Sequence, residues 1–355
     1  MLLGGENTTK TNTKTLPCLI KAGIVIFVIT LIVIIVAFVI SVALVQKFTK
    51  KVSNAYKLNT LQYCKNLPTI TYSNIIRKPK VQGVYEYQLA KTFLETSLLV
   101  TQSNCFNIVP IANPPGFTNQ YRMIGSDPSD GKPRMFVTVF TNFDTTNQTK
   151  KEENTETEIK EPNRFLIVFT GTFTMNEWRD DFTYPLVEAS LLNNYEPGIQ
   201  VHKGFYGVYL AIREQLWNLY KANENKIDEL YITGHSLGGA LSTLCAFDFA
   251  HYTTNKEQIL THYSFAAPRS GNVAYSNKFN QMLPTSIRVY NTEDIIHSVP
   301  PAEFLGGYVY QHTNYGVPFD VNLGSIGANH ITAYTEYLPK CVDNKAPCFT
   351  NQNQK

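Results

Sequence analysis

Residues 230–241 read Leu-Tyr-Ile-Thr-Gly-His-Ser-Leu-Gly-Gly-Ala-Leu, an apolar run that enters Gly-x-Ser-x-Gly and continues in a pattern typical of a helix. A serine hydroxyl is a weak nucleophile, so it must stand on a tight turn beside a base and an oxyanion site. Gly234 and Gly238 lack the Cβ atoms that would collide across such a turn. The stretch predicts a strand, a sharp turn with Ser236 as nucleophile, and a helix; a purely structural turn is the alternative.

Strand and helix patterns alternate around this stretch. The first two predicted strands flank a polar segment, residues 142–163, and we expect them to form a hairpin with a long, mobile tip. Strands that alternate with helices favour a largely parallel sheet with helices on both faces. The predicted strands are residues 134–140, 164–169, 230–233, 263–266 and 287–290, and the predicted helices are residues 85–100, 204–220 and 240–251.

Three motifs resemble those of the class 3 (fungal-type) lipases in order and spacing. They are Gly-His-Ser-Leu-Gly-Gly-Ala-Leu at 234–241, Phe-Ala-Ala-Pro-Arg-Ser-Gly-Asn at 265–272 and Tyr-Asn-Thr-Glu-Asp-Ile-Ile-His-Ser-Val-Pro-Pro at 290–301. The resemblance covers about Leu89 to Leu338. It implies the α/β-hydrolase fold, with a mostly parallel central sheet flanked by helices. It also implies hydrolysis of acylglycerol-type esters through a Ser-His-Asp triad and an acyl-enzyme.

The acid of the triad is expected at Asp294, a few residues beyond the predicted strand that ends at Tyr290. Sites of open α/β sheets form at this carboxyl edge. A carboxylate there holds a histidine in the required tautomer and stabilises its imidazolium. Glu293 is the nearest rival, but the resemblance assigns the acidic position to Asp294. The alternative is that Glu293 and Asp294 are two solvated acids of a loop and have no catalytic function.

Seven histidines compete for the role of base. His330 follows a glycine-containing loop late in the chain and completes the order Ser, Asp, His of this fold. The family usually has Asp-His with an aromatic residue three positions on, whereas Asn329 precedes His330 here and Tyr334 comes four later. His312 resembles a histidine that lipases carry in a late strand. We expect His330 to be the base and keep His312 as the alternative, because both follow Asp294.

The oxyanion hole and a lid are expected on either side of the nucleophile. The amide of Leu237, directly after Ser236, is the first expected donor. Thr172, in Phe-Thr-Gly-Thr at 169–172, matches the place where the lipases carry the second donor; a structural threonine is the alternative. Trp178 matches the lid of the similar lipases. A covering loop that stays packed against the core is the other interpretation.

Composition and charge exclude several classes of partner. The formal net charge is +3, of which residues 1–57, with seven Lys and one Glu, carry +6, so the remainder carries −3. No basic stripe interleaved with aromatic residues indicates nucleic-acid binding. No Cys/His cluster has metal-ligand spacing, so no metal and no cofactor are expected. The oligomeric state is not readable from the sequence.

The N-terminal part predicts a membrane anchor. Residues 22–45 carry no charge and are long enough to cross a bilayer as a helix. They separate an expected disordered tail, residues 1–21, from a tether, residues 46–84, and a lipase-like domain, residues 85–345. The sequence therefore predicts a single-pass membrane protein with a signal anchor. Lysines on both sides of the anchor leave its orientation open under the positive-inside rule.

Cysteine usage favours a lumenal or extracellular catalytic domain. Cys64 and Cys105 precede the core and Cys341 and Cys348 follow it, an arrangement that could staple both ends. Four unpaired thiols are the alternative. A sequon at residues 147–149 agrees weakly with the same compartment.

These features together predict an ester hydrolase that acts on lipids, acylglycerols or phospholipids, at a membrane surface. A lipase-like binding protein without turnover is the alternative from another functional class. A carbohydrate or feruloyl esterase is the alternative within the enzymes, because such enzymes share the same motifs.

Overall fold

The computed structural model describes residues 29–36, 72, 74–103, 111–128, 131–145, 161–171, 185–192, 196–253, 260–304, 307–314 and 316–338. The chain divides into two units, residues 1–55 and residues 56–355. In the first unit, residues 29–36 are helical. Within the described residues, no helix has the length and apolar character that a membrane span requires. The rest of the predicted 22–45 span lies outside the described residues.

The second unit is built on a seven-stranded sheet with the order β1-β2-β3-β6-β7-β9-β12. Strands β1, β2 and β3 are antiparallel, and every neighbouring pair from β3 to β12 is parallel. The mostly parallel sheet is therefore confirmed, as is the predicted hairpin of β2 and β3. The strands are β1 (Asn119–Ser126), β2 (Pro133–Thr141), β3 (Arg164–Phe169), β6 (Glu229–His235), β7 (Leu260–Phe265), β9 (Ile287–Asn291) and β12 (Gly316–Phe319).

A second, antiparallel sheet of short strands has the order β10-β11-β8-β5-β4. The sequence did not predict it, because strands of two to four residues are too short to show an alternating pattern. Its members are β4 (Leu186–Glu188), β5 (Gln200–His202), β8 (Gly271–Asn272), β10 (Glu303–Phe304) and β11 (Tyr308–Gln311).

Five helices longer than one turn accompany the sheets in the described part of this unit, together with two 3-10 helices, Glu224–Lys226 and Ile296–Ser298. The five longer helices are α1 (Tyr87–Ser103), α2 (Lys203–Lys221), α3 (Leu237–Tyr252), α4 (Val273–Met282) and α5 (Ala328–Tyr337), of which α5 is π-helical. The three predicted helices correspond to α1, α2 and α3. The expectation that a loop leads directly into His330 is corrected, because α5 begins two residues earlier and contains it. π-Helical stretches are frequent at functional sites.

The core consists of two apolar layers, one on each face of the main sheet. Phe165, Ile167 and Phe169 of β3 pack with α2 and α3, whereas Leu166 and Val168 pack with α1 and α5. All six residues of β3 are buried, as expected for a central strand covered on both faces. The predicted placement of helices on both faces is thereby confirmed.

A buried carboxylate joins α2 to α3. Asp248, with a fully buried side chain, accepts hydrogen bonds from Tyr209 Oη at 2.7 Å, Trp217 Nε1 at 2.8 Å and both Nε and Nη2 of Arg213 at 2.8 and 2.9 Å. The negative charge is thus compensated by four donors on α2, which fixes the distance between the two helices.

Candidate active site

The turn between β6 and α3 has the backbone that the Gly-x-Ser-x-Gly pattern predicts. Ser236 has φ 62° and ψ −129°, a left-handed conformation that is unusual for a residue other than glycine. A Cβ on Gly234 would overlap the carbonyl carbon and oxygen of Gly238. A Cβ on Gly238 would lie 2.5 Å from the carbonyl oxygen of Phe169. Glycine at both positions lets the turn close and presents the Ser236 side chain beyond the strand end.

Three predicted site residues are connected by two consecutive hydrogen bonds. Ser236 Oγ lies 2.8 Å from His330 Nε2, and His330 Nδ1 lies 2.8 Å from Asp294 Oδ2. An ionised carboxylate only accepts hydrogen bonds, so Nδ1 carries the proton and Nε2 accepts from the serine hydroxyl. The three residues are nearly inaccessible, with 3%, 2% and 1% of their surface exposed for Ser236, His330 and Asp294.

The Asp294 carboxylate has further donors. Its Oδ1 accepts from the Ile296 amide at 2.9 Å, and its Oδ2 accepts from the Tyr334 hydroxyl at 3.1 Å. Tyr334 Oη in turn accepts from the Asn291 amide at 2.8 Å. Burial and the neighbouring Asp294 raise the pKa of Tyr334 well above its ordinary value, so its hydroxyl stays protonated and able to donate. The carboxylate is thereby held in one orientation toward His330.

His235 is hydrogen-bonded to the backbone of His330, the expected base. Its Nε2 lies 3.0 Å from the carbonyl oxygen of His330, and the two rings are 4.8 Å apart. Burial lowers the pKa of His235 well below its ordinary value, so the ring is neutral and donates from Nε2 to the carbonyl. The sequence indicated no such role, because the contact joins residues 95 positions apart.

The structure separates the rival residues from the site. The carboxylate of Glu293 accepts from Asn322 Nδ2 at 2.8 Å on the surface. The ring of His312 lies 6.1 Å from that of His297, and its Nε2 is buried without a hydrogen-bond partner. Burial lowers the pKa of His312 well below its ordinary value. His330 and Asp294 are therefore the residues brought to Ser236, and Glu293 and His312 are not.

The predicted oxyanion donors are described only in part. Leu237 is the first residue of α3, where helix amides have no acceptor within the helix, and it is 6% exposed. Thr172 and Trp178 lie outside the described residues, as do the sequon and the four cysteines expected to pair. Cys245 is a buried free thiol. In the described part of the chain, no three His, Cys, Asp or Glu side chains are grouped to hold a metal ion.

This geometry is suited to acyl transfer. A histidine that accepts the serine proton turns the hydroxyl into a nucleophile, and a buried carboxylate stabilises the imidazolium that forms. The start of α3 directs amides and partial positive charge toward the place where the carbonyl oxygen would become negative. The arrangement fits nucleophilic attack on an ester carbonyl.

Comparison with known families gives a match that includes Ser236. Residues 166–304 match the family model described as Lipase (class 3). The matched stretch contains Ser236 and Asp294 and ends before His330.

Similar curated proteins are lipid hydrolases. The chain is 31% identical over 156 residues to a chloroplastic galactolipase, DONGLE, of Arabidopsis thaliana, covering 38% of this chain and 33% of the relative. It is 29% identical over 213 residues to the phospholipase A1 EG1 of Oryza sativa subsp. indica, covering 51% and 49%. It is 31% identical over 159 residues to a lipase of Rhizomucor miehei, covering 42% and 41%. The chain thus spans about a third to a half of these relatives.

Solved structures with a related arrangement include two fungal lipases. The native Rhizomucor miehei lipase propeptide complex has a TM-score of 0.45 and 18% identity, covering 74% of this chain and 80% of that chain. The lipase from Rhizopus microsporus var. chinensis has a TM-score of 0.45 and 19% identity, covering 72% and 80%.

Proposed function

We propose that this chain, a member of the class 3 lipase family through residues 166–304, is a serine hydrolase that cleaves carboxylic esters of lipids. The observation that carries the proposal is the hydrogen-bonded run from Ser236 Oγ through His330 to Asp294, with both distances at 2.8 Å. The similar proteins named as a galactolipase, a phospholipase A1 and a lipase support glycerolipid esters as the substrate class.

The proposed reaction has two halves. Ser236 Oγ attacks the acyl carbonyl carbon while His330 Nε2 takes the hydroxyl proton, and Asp294 stabilises the imidazolium. The Leu237 amide donates to the oxyanion, and Thr172 is the proposed second donor. The tetrahedral species collapses to the acyl-enzyme as the alcohol leaves with the proton from His330. Water then attacks the acyl carbonyl carbon and loses a proton to His330. The second tetrahedral species collapses to the fatty acid as His330 returns that proton to Ser236 Oγ.

The proposal extends to a membrane anchor at residues 22–45 and a catalytic domain on the lumenal or extracellular side. The uncharged stretch supports the anchor. Residues 29–36, helical and apolar except for Thr30, are exposed on every face, with Ile29 at 55% and Val33 at 60%. A helix that is apolar all round is suited to lipid rather than to water. The cysteine placement and the sequon support the compartment.

Substitution of the triad tests the chemistry. The wild-type protein is expected to hydrolyse short and long acyl esters and to be labelled by a fluorophosphonate at Ser236. Ser236→Ala and His330→Ala should each lower kcat by about a thousandfold or more while leaving the fold intact. His312→Ala is the matched control and should keep its activity in the folded fraction. A folded wild-type protein without turnover or labelling would instead support the lipase-like binding protein.

The same preparation tests the substrate class and the anchor. We expect faster hydrolysis of galactolipid, phospholipid or triacylglycerol dispersions than of feruloyl or acetylated-sugar esters. The full chain should stay with the membrane pellet after alkaline carbonate extraction, and a chain lacking residues 1–57 should be released. Release of the full chain by carbonate would contradict the anchor without affecting the hydrolase proposal.

A further inference from the structure

Helix α1 carries a row of buried hydroxyl groups that mostly serve the helix itself. Thr92, Ser97 and Thr101 each donate to the carbonyl oxygen four residues earlier, at 3.0, 2.8 and 2.7 Å. Thr101 differs because its Oγ1 also accepts a hydrogen bond of 2.8 Å from the amide of Gly171, 70 residues along the chain. One hydroxyl therefore connects α1 to the segment that follows β3.

Gly171 lies against the nucleophile turn. A Cβ built on Gly171 would be 3.1 Å from the carbonyl oxygen of His235 and 3.5 Å from the Cβ of Ser236. The segment touches the same turn a second time, since a Cβ on Gly238 would be 2.7 Å from the carbonyl oxygen of Thr170. Residues 170 and 171 thus pack against the turn that carries Ser236, and almost no free space separates them from it.

Hydrogen bonds to β2 and to α1 hold residues 170 and 171 in place. Thr170 donates from its amide to Phe136 O at 2.9 Å and from Oγ1 to Met135 O at 3.1 Å, which fixes it to β2. The amide of Gly171 donates to Thr101 Oγ1 instead. The amide of Gly171, the residue before the predicted oxyanion donor Thr172, is therefore bound by a side chain of α1 and not by the sheet.

We propose that Thr101 is a positioning residue for the reacting centre, whose hydroxyl holds the backbone at Gly171 at a fixed distance from Ser236. The inference rests on the proposed hydrolase function. In this fold, one donor to the oxyanion comes from the loop after an earlier strand, and such donors act only when they are held in place before the reaction. A shift of a fraction of an ångström at Gly171 would change the geometry that the transition state meets.

The hydroxyl, and not the bulk of Thr101, is the required feature. Valine has the same shape but no acceptor, so Thr101→Val would leave the Gly171 amide buried without a partner. A buried amide without a partner is costly, and the segment would move to find water or another acceptor. Thr101→Ser keeps the acceptor and should keep the position of Gly171.

The test compares three variants in the full-length protein. Thr101→Val should lower kcat by about tenfold or more with KM changed by less than about threefold, because the lost interaction serves the transition state. Labelling of Ser236 by a fluorophosphonate should slow in parallel. Thr101→Ser should restore kcat to within about threefold of the wild type. Thr92→Val is the matched control: it removes a buried hydroxyl with the same bond inside α1, and kcat should not change.

Three outcomes would overturn the inference. They are an unchanged kcat in Thr101→Val, an equal loss in Thr92→Val, and a failure of Thr101→Ser to restore the rate. If Thr101→Val does not fold, Thr101→Ala takes its place with the same expected loss of kcat. A wild-type protein without Ser236-dependent hydrolysis would overturn the proposed function and this inference together, whereas an active wild type with an unaffected Thr101→Val overturns this inference alone.

Discussion

At the scale of single residues, the Asp294 carboxylate is oriented in part by a tyrosine, Tyr334, whose role the sequence did not indicate. The hydroxyl of Tyr334 donates to Asp294 Oδ2 at 3.1 Å and accepts from the Asn291 amide at 2.8 Å. It therefore joins α5 to the end of β9 across the carboxylate. A carboxylate that is bound from several sides keeps its lone pairs aimed at the histidine, which is what the imidazolium requires.

Tyr334→Phe removes this hydroxyl and keeps the ring. We expect the free energy of unfolding to fall by about 1–3 kcal/mol, because the buried Asn291 amide loses its acceptor and Asp294 loses a donor. The kcat should fall by about tenfold or less, since Ser236, His330 and Asp294 all remain. Urea unfolding and steady-state kinetics measure the two effects.

Tyr275→Phe is the control for Tyr334→Phe. Tyr275 is equally buried, and its hydroxyl donates to the Thr243 carbonyl at 3.4 Å, away from Asp294. Tyr275→Phe should lower the free energy of unfolding and leave kcat unchanged. An equal loss of kcat in both variants would show that the Tyr334 hydroxyl has no specific effect on the rate through Asp294.

The sequence indicates the three residues that the structure brings together better than it indicates the residues that hold them in place. Ser236, Asp294 and His330 follow from a turn pattern, a strand end and chain order, which are local features. The contacts of Tyr334, His235 and Thr101 join residues 40, 95 and 70 positions apart. No local pattern encodes such contacts, because they arise only when strands and helices pack. The departure of Tyr334 from the usual family spacing fits its place on a π-helical stretch.

At the scale of elements, prediction succeeds where an apolar pattern is long. The strands β3 and β6 and the helices α1 to α3 show clear apolar patterns, and the structure contains them. Strand β12 was missed because Pro318 lacks an amide and argues against a strand; here it lies on an edge. The two-residue strands β8 and β10 carry no period at all.

The contact between α2 and α3 predicts a stability effect that leaves catalysis unchanged. Asp248→Asn removes the charge that four donors on α2 surround, so the guanidinium of Arg213 loses its counter-ion. We expect the free energy of unfolding to fall by about 3 kcal/mol. The kcat of the folded fraction should stay at the wild-type value. Urea unfolding followed by circular dichroism measures the change.

A surface ion pair supplies the matched control for Asp248→Asn. Lys221 lies 2.7 Å from Glu224, with about half and a third of their side-chain surfaces exposed. Glu224→Gln should cost less than about 1 kcal/mol, because solvent screens an exposed pair. An equally small cost for Asp248→Asn would contradict the structural role assigned to the buried carboxylate.

At the scale of the whole molecule, buried neutral histidines make the fold sensitive to acid. Burial lowers the pKa of His262 to about 3, and its ring nitrogens lie 3.1 and 2.7 Å from the hydroxyls of Ser242 and Ser286. Burial also lowers the pKa of His235 and His312 well below the ordinary value. The histidines of the unfolded chain therefore bind protons that those of the folded chain do not. The free energy of unfolding is highest at pH values above the pKa of histidine in the unfolded chain, and it decreases as the pH falls below that pKa.

This linkage can be measured on His262. Between about pH 7.5 and pH 5.5, the free energy of unfolding should fall by about 1 kcal/mol from His262 alone, and by more with the other buried histidines. His262→Gln should lose that part of the pH dependence, whatever its effect on stability at pH 7.5. Denaturant unfolding at the two pH values gives the difference. A slope that is identical in both proteins would exclude a contribution from His262.

The burial of Ser236 has a kinetic consequence for the proposed reaction. With 3% of Ser236 and 2% of His330 exposed, little of either side chain is open to an acyl chain in this conformation. The proposed turnover would then depend on a conformation in which Ser236 is more exposed, and each measured rate would be an intrinsic rate multiplied by the fraction of molecules in that open conformation. If about 1% of the molecules are open, the apparent kcat/KM is about a hundredth of the intrinsic value. A surface that binds the open form would then accelerate hydrolysis up to a hundredfold while every distance within the triad stays the same.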